Sequence, residues 1–204
     1  MYLPKMFAFE DLSRPYDFME EFNFATLVTQ RNGQITASHI PFLLERNTGP
    51  FGTLRAHIAI RNPQLTDLQA GSDVLVIFQG PHSYISPSWY VNPDNVPTWN
   101  YTVVHAQGVA KIGNKTAMIA LLKDLTAKHE APSRRPWAFS PEAPWVQKLL
   151  NEIVAFEIRI EKLEGKFKLN QNREPEDRAN VMKTLAASDD AAQRAVAYWM
   201  DQIC

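Results

Sequence analysis

The chain has 204 residues, 45% of them hydrophobic and 21% charged, which is long enough for one sizeable core and too apolar for a disordered chain. With 21 Lys+Arg against 22 Asp+Glu the formal net charge is -1, so a global attraction to nucleic acid or to an anionic membrane is excluded and any such contact needs a local basic patch. The single cysteine, Cys204, excludes an internal disulfide framework and a thiolate zinc site. No signal segment opens the chain and no apolar run reaches membrane-spanning length, so a cytoplasmic location is expected.

Residues 24–30 and 34–44 are β-rich runs joined by Arg31-Asn32-Gly33, and the Asn-Gly pair predicts a hairpin. A turn at Thr48-Gly49-Pro50 leads to a third strand over 51–60, which ends at Asn62-Pro63. After a short segment with helical character, the apolar run 73–79 reads as a central strand ended by Gly80-Pro81. Residues 83–90 then read as a short strand broken at Pro87, followed by a loop over 91–97.

Residues 98–112 form a long strand pattern in which Gly108 marks a bulge or a close approach. Asn114 is placed to cap a helix running to about Glu130, with Met118, Leu121, Leu122 and Leu125 on one face. A Pro/Trp-rich connection covers 131–145, a short helix 146–151, and a last alternating strand 153–163. From 176 to 203 the pattern is two helices separated near Ser188-Asp189-Asp190. Six or seven strands with hairpin connections and helices outside them predict a mainly β architecture, a closed antiparallel barrel with flanking helices, since closure removes exposed edges. No Gly-x-Gly-x-x-Gly follows a strand, so a dinucleotide-binding βαβ fold is excluded.

Polar residues that interrupt the strands are concentrated: Ser38-His39, Arg55, His57, Arg61-Asn62, then Trp99-Asn100 and His105. Clustering on neighbouring strands predicts one site. Its donors suit the phosphate and pyrimidine edge of a flavin nucleotide, and its flat side chains suit the ring. A lone strand histidine such as His57 or His105 is more often a hydrogen-bonded structural residue than a ligand. No two histidines have metal-ligand spacing. Gly165 to Arg173 is the densest basic and amide stretch. It reads either as a solvated turn or, because Lys166 and Lys168 alternate along an extended chain, as two cations on one side facing a phosphate. Ser86 and Ser88 stand beside prolines without a nucleophile elbow, which ranks acyl-transfer chemistry low.

Six stretches in order resemble the PaiB family of FMN-binding transcriptional regulators. They are Met1-Tyr2-x-Pro4, Ser38-His39-Ile40-Pro41-Phe42, Ala56-His57-Ile58-Ala59 with Asn62-Pro63, the run from Phe78 to Tyr90, Val96 to Tyr101, and Gly165 to Leu169 with Gln171-Asn172, together spanning residue 1 to about 185. The resemblance implies an antiparallel split β-barrel related to pyridoxamine-phosphate oxidases, FMN as cofactor, a homodimer with the flavin at its interface, and negative regulation of protease and sporulation genes. It implies a flavin-binding domain over 1–175 and a helical C-terminal tail over 176–204 packed on it. The candidate FMN-binding set is Ser38, His39, His57, Arg61, Asn62, Tyr84, Ser86, Trp99, Asn100, Lys166, Lys168 and Gln171, with no metal and no catalytic residue assigned. The chain departs from the family pattern at Ile60-Arg61, where the cation is shifted by one position and a strand would send it to the opposite face, and at Asn170, where the family has serine. A flavin-dependent oxidoreductase and a non-flavin binder on the same fold are the alternatives. Direct DNA binding is doubtful, because the tail helices carry Asp189, Asp190 and Asp201 beside sparse Lys183 and Arg194.

Overall fold

The Asn-Gly pair makes the turn that its spacing predicts. In the computed structural model, which describes residues 1–9, 11–92 and 94–203, β1 (Phe24–Arg31) and β2 (Gln34–Pro41) pair antiparallel from Phe24↔Pro41 to Arg31↔Gln34. Asn32 and Gly33 have φ of 50° and 79°, the left-handed conformation that a two-residue hairpin loop requires and that these residue types tolerate best. The lone Cys204, and Pro93 within the 91–97 loop, lie outside the described residues.

One residue, Phe42, separates β2 from β3 (Leu43–Glu45), and there the chain changes partner: β3 pairs with β4 (Thr53–Ala59). Three long strands follow, β5 (Asp73–Ile85), β6 (Thr98–Ile112) and β7 (Ile153–Lys168), giving the order β2-β1-β5-β6-β7-β4-β3. The two ends of that order are one residue apart in the chain, so the sheet curves round, yet no ladder joins them. The closed barrel expected from the sequence is therefore corrected to an open, split one. The segment that would seal the gap already gives its first half to β1 and its second half to β4.

Two strand boundaries also differ from expectation. Gly80-Pro81 does not end β5: the ladder to β1 covers only Leu75 to Ile77, so on that side the proline removes no ladder donor. Gly80 is there for close approach: a Cβ would lie 2.4 Å from Thr102 Oγ1 and 2.6 Å from the Phe18 ring. β7 does not stop at 163 but continues through the basic stretch to Lys168.

The helices are α1 (Ser13–Glu21), α2 (Gln64–Gln69), α3 (Lys115–Glu130), α4 (Pro144–Leu150), α5 (Pro175–Ala186) and α6 (Ala191–Gln202). Asn114 caps α3 by accepting from Ala117 N at 2.9 Å, and Asp190 caps α6 by accepting from Ala192 N at 2.8 Å.

The chain divides into two compact units. The sheet unit comprises Met19–Phe78 and Ala106–Leu163; the helix-tail unit comprises Met1–Phe18, Gln79–His105 and Glu164–Cys204. In the sheet unit, buried Phe42 stands 5.9 Å from Phe78 and 6.3 Å from Phe156, ring to ring, and holds the corner where the chain changes partner. Each such side chain contributes about 1.5–3 kcal/mol by burial. α3 and α4 cover the other face of β4 and β7 through Met118, Leu121, Leu125, Val146 and Leu150 around Leu43 and Ala155. In the helix-tail unit, Phe167 at the end of β7 packs at 4.9 Å on Phe18 and 5.3 Å on Trp199, which anchors α6 to the strand.

Candidate functional site

In the sheet unit, Ser38 lies opposite Leu27 on the core side of the β1–β2 hairpin, and His39, one residue on, lies opposite Thr26 on the other side. Asn62, just after β4, reaches back across 24 residues, its Nδ2 donating to Ser38 Oγ at 3.0 Å while its Oδ1 accepts from Gln64 N at 2.9 Å. Gln64 is fully buried and its Nε2 donates to Leu27 O, Thr29 Oγ1 and Thr36 O, so α2 is locked beneath the hairpin and fixes Asn62 at its rim. Asp67 completes the lock by accepting from Thr29 Oγ1 at 2.6 Å. Arg61 is exposed, and with Ile60 it sits in a turn after β4 rather than in the strand, so the strand argument for its orientation is corrected.

His39 and His57 do not join Ser38 and Asn62. His39 Nδ1 stands 2.9 Å from Thr26 Oγ1 on the far face. His57 shares a face with Arg55 and Ala155, on the side that α3 and α4 cover. Its Nδ1 is buried without a partner, and burial lowers its pKa below the ordinary imidazole value. Arg55 bridges Glu45 at 2.7 Å and Asp124 at 2.8 Å, the former at ion-pair distance without hydrogen-bond alignment.

The helix-tail unit brings a second group together. His82 and Tyr84 alternate along β5, and Trp99 of β6 lies 6.1 Å from each ring, so three aromatic groups form one exposed face. Lys168 donates to Trp99 O at 3.0 Å and to Thr98 Oγ1. Burial, then the charges of Lys166 and Arg173, lower its pKa. Lys166 is 9% exposed, donates to Tyr2 O at 3.0 Å and lies over the Tyr2 and Tyr101 rings. Asn100 is buried, its Nδ2 on Met200 Sδ and its Oδ1 without a partner. Ser86 caps the turn Pro87–Trp89 by accepting from Ser88 N, and Gln171 uses both ends of its amide on Phe167 O and Leu169 N. Asn170 has φ of 64°, a conformation asparagine adopts far more readily than serine.

The structure thus joins Ser38 with Asn62 in one unit, and Tyr84 and Trp99 with Lys168 in the other. Sequence reasoning left out His82 and Tyr2; His82 was legible only if β5 had been read through Gly80-Pro81. The donor sets fit FMN. In the sheet unit a hydroxyl, an amide and an exposed guanidinium at the hairpin rim suit a phosphate; taken by itself, the helix-tail unit offers an exposed aromatic face of the kind that stacks on a flat ring. Among the described residues no group of His, Cys, Asp and Glu is placed to hold a metal ion, and no helix is long and apolar enough to cross a membrane.

Residues 1–162 match the family described as "Putative FMN-binding domain". The chain is 35% identical over 202 residues, 98% of its length and 97% of the other's, to protease synthase and sporulation protein PAI 2 of Bacillus subtilis (strain 168). It is 31% identical over 160 residues to an uncharacterized protein of Saccharomyces cerevisiae, covering 67% of this chain and 93% of that one. Among solved structures, the FAD and heme binding protein from Mycobacterium smegmatis superposes with a TM-score of 0.60 at 17% identity, covering 84% of this chain and 78% of that one. The flavocytochrome Anf3 from Azotobacter vinelandii gives 0.60 at 15% identity, covering 85% and 75%. These two likenesses bear on the fold, which is the split barrel.

Proposed function

The chain belongs to the FMN-binding domain family whose pattern spans residues 1–162, and on that premise we propose that it is an FMN-dependent negative regulator of gene expression, a reading supported by its likeness to the Bacillus subtilis protein named protease synthase and sporulation protein PAI 2. The observation that carries the site is the Asn62–Ser38 hydrogen bond, held by buried Gln64 beside exposed Arg61. In this reading Ser38, Arg61 and Asn62 of the sheet unit hold the phosphate, and the protein is a homodimer whose effect on transcription is indirect. The flavin, when bound, supplies two-electron redox chemistry; the side chains bind and orient it.

Incubation with FMN followed by desalting tests the reading, and the expected result is retained flavin with quenched fluorescence. Arg61→Ala removes a charge-assisted contact of about 1.5–3 kcal/mol and weakens FMN binding by roughly tenfold or more. Absence of retention and of quenching in the wild-type protein overturns the cofactor assignment for this chain. An oxidoreductase is the second reading, favoured by the exposed face of His82, Tyr84 and Trp99, which leaves room for a small substrate. Anaerobic bleaching of bound flavin by a nicotinamide donor at a catalytically useful rate separates it from the regulator.

A further inference from the structure

A cleft of about 440 Å3 in the helix-tail unit is lined by Gln171, Arg173, Pro175, Arg178, Ala179, Met182 and Asp201. Two guanidiniums face it, and among the described residues neither pairs with a carboxylate. Arg173 donates to Asn95 Oδ1 and stacks 4.8 Å over the Tyr90 ring, while Arg178 donates to Met200 O at 3.3 Å. These neutral contacts fix both side chains and leave most of their N–H donors unused. The nearby carboxylate of Asp177 accepts from Val91 N at 2.7 Å and, among the described residues, forms no ion pair with either guanidinium. Positive charge persists towards β7, since the charges of Lys166 and Arg173 both act to lower the Lys168 pKa. Pro175, Ala179 and Met182 give the same cleft an apolar wall, and Asp201 adds one carboxylate.

We infer that this cleft is a second ligand site, separate from the flavin groups above, which takes a small organic carboxylate with an apolar body and favours one that also carries an ammonium group. The planar fork of arginine matches a carboxylate in two parallel hydrogen bonds, which makes two preset forks a receptor for that group. The apolar wall takes the body, and Asp201 takes the ammonium. A cleft of this volume lies within the usual range for small-molecule sites. Sequence patterning alone did not expose it, because Arg173 and Arg178 precede and enter a helix whose first turn is acidic, Glu176 and Asp177.

Isothermal titration of the full chain, in buffer containing FMN, tests the site with two probes that share one body: phenylalanine and 3-phenylpropanoate. Both bind saturably, phenylalanine more tightly, and Asp201→Asn reverses the order. Arg178→Gln weakens both by roughly tenfold, the loss of one charge-assisted contact. Met182→Glu, which puts a carboxylate of about the same reach at a half-buried position of the cleft wall, abolishes both without changing the melting temperature. Absence of saturable heat from either probe overturns the inference. So do affinities unchanged in both Arg178→Gln and Met182→Glu. Competition by inorganic phosphate as strong as by the carboxylates also overturns it, since that marks a general anion patch.

Discussion

The two units differ in how they hold several of their cations, although Lys115 and Lys128 of the sheet unit also rest on neutral oxygens, Gln147 Oε1 and Glu20 O. In the sheet unit, Arg46 pairs with Glu20 at 2.6 Å, Arg55 with Glu45 and Asp124, and Lys111 with Glu157 at 3.3 Å. In the helix-tail unit, Lys166, Lys168, Arg173 and Arg178 rest on carbonyl, hydroxyl or amide oxygens, while the Met1 ammonium pairs with Glu164. A cation matched by a carboxylate has its field cancelled and serves packing. A cation held by neutral oxygens keeps its field, and a fold that leaves four of them so is suited to receive an anion.

This comparison depends on the strands keeping their places, and each unit presses one glycine against a neighbour. At Gly108 in the sheet unit a Cβ would lie 1.9 Å from Arg159 O, a backbone atom that cannot step aside. Gly108→Ala therefore costs more than about 4 kcal/mol or prevents folding, the largest effect expected here. At Gly80 in the helix-tail unit the obstacles are the Thr102 hydroxyl and the Phe18 ring, side-chain atoms able to shift, so Gly80→Ala costs about 1–3 kcal/mol. Urea unfolding of both variants checks the ranking, and equal costs would show that the β6–β7 approach at Gly108 is looser than described.

The charge contrast itself is broken by removing one cation from each unit. Arg55→Met strands two carboxylates that are 41% and 50% exposed, at a cost of about 1 kcal/mol. Lys166→Met replaces a 9% exposed ammonium, held by one carbonyl and lying over the Tyr2 and Tyr101 rings, with an apolar side chain of similar length that keeps contact with both rings. The desolvation cost it removes offsets the lost contact, so stability stays within about 0.5 kcal/mol or rises. Thermal melts of the pair decide the matter, and a larger loss from Lys166→Met would mean that its charge, too, is structurally compensated.

The regions differ as well in how far the sequence foretold them. Local chemistry was legible: Asn32-Gly33 forced its turn, Asn114 capped its helix, the strand over 98–112 came out with those bounds, and the tail split into two helices at 188–190. What escaped was set by distant partners. Gly80-Pro81 looked like a break because the tight approach of Phe18 and the limited reach of the β1 ladder are not local properties. The site shows the same divide. Ser38 and Asn62 meet across 24 residues, and Lys168 meets Trp99 across 69, distances over which no periodicity speaks. That Ser38 and His39 face opposite ways follows from strand alternation alone, and it separates two residues that the clustering of polar positions had grouped.

The smallest effect expected is in pH dependence, and it too sets one unit against the other. His57 in the sheet unit has its pKa lowered by burial alone. His105 in the helix-tail unit has it lowered by burial and then by the Met1 ammonium, with Glu164 acting in the opposite sense. A folded-state pKa below the unfolded value of about 6.5 means that the unfolded chain binds more protons as pH falls through that value, so stability is full above it and declines below it. His57→Gln therefore flattens the fall in melting temperature between neutral pH and about pH 5, and the flattening is the same at low and high salt because desolvation is not screened. His105→Gln flattens it by an amount that varies with salt, since charges contribute there. Melting temperatures across that pH range at two ionic strengths measure both. An unchanged acid limb in His57→Gln would mean that its imidazole protonates freely in the folded state, and that the side of β4 covered by α3 admits water.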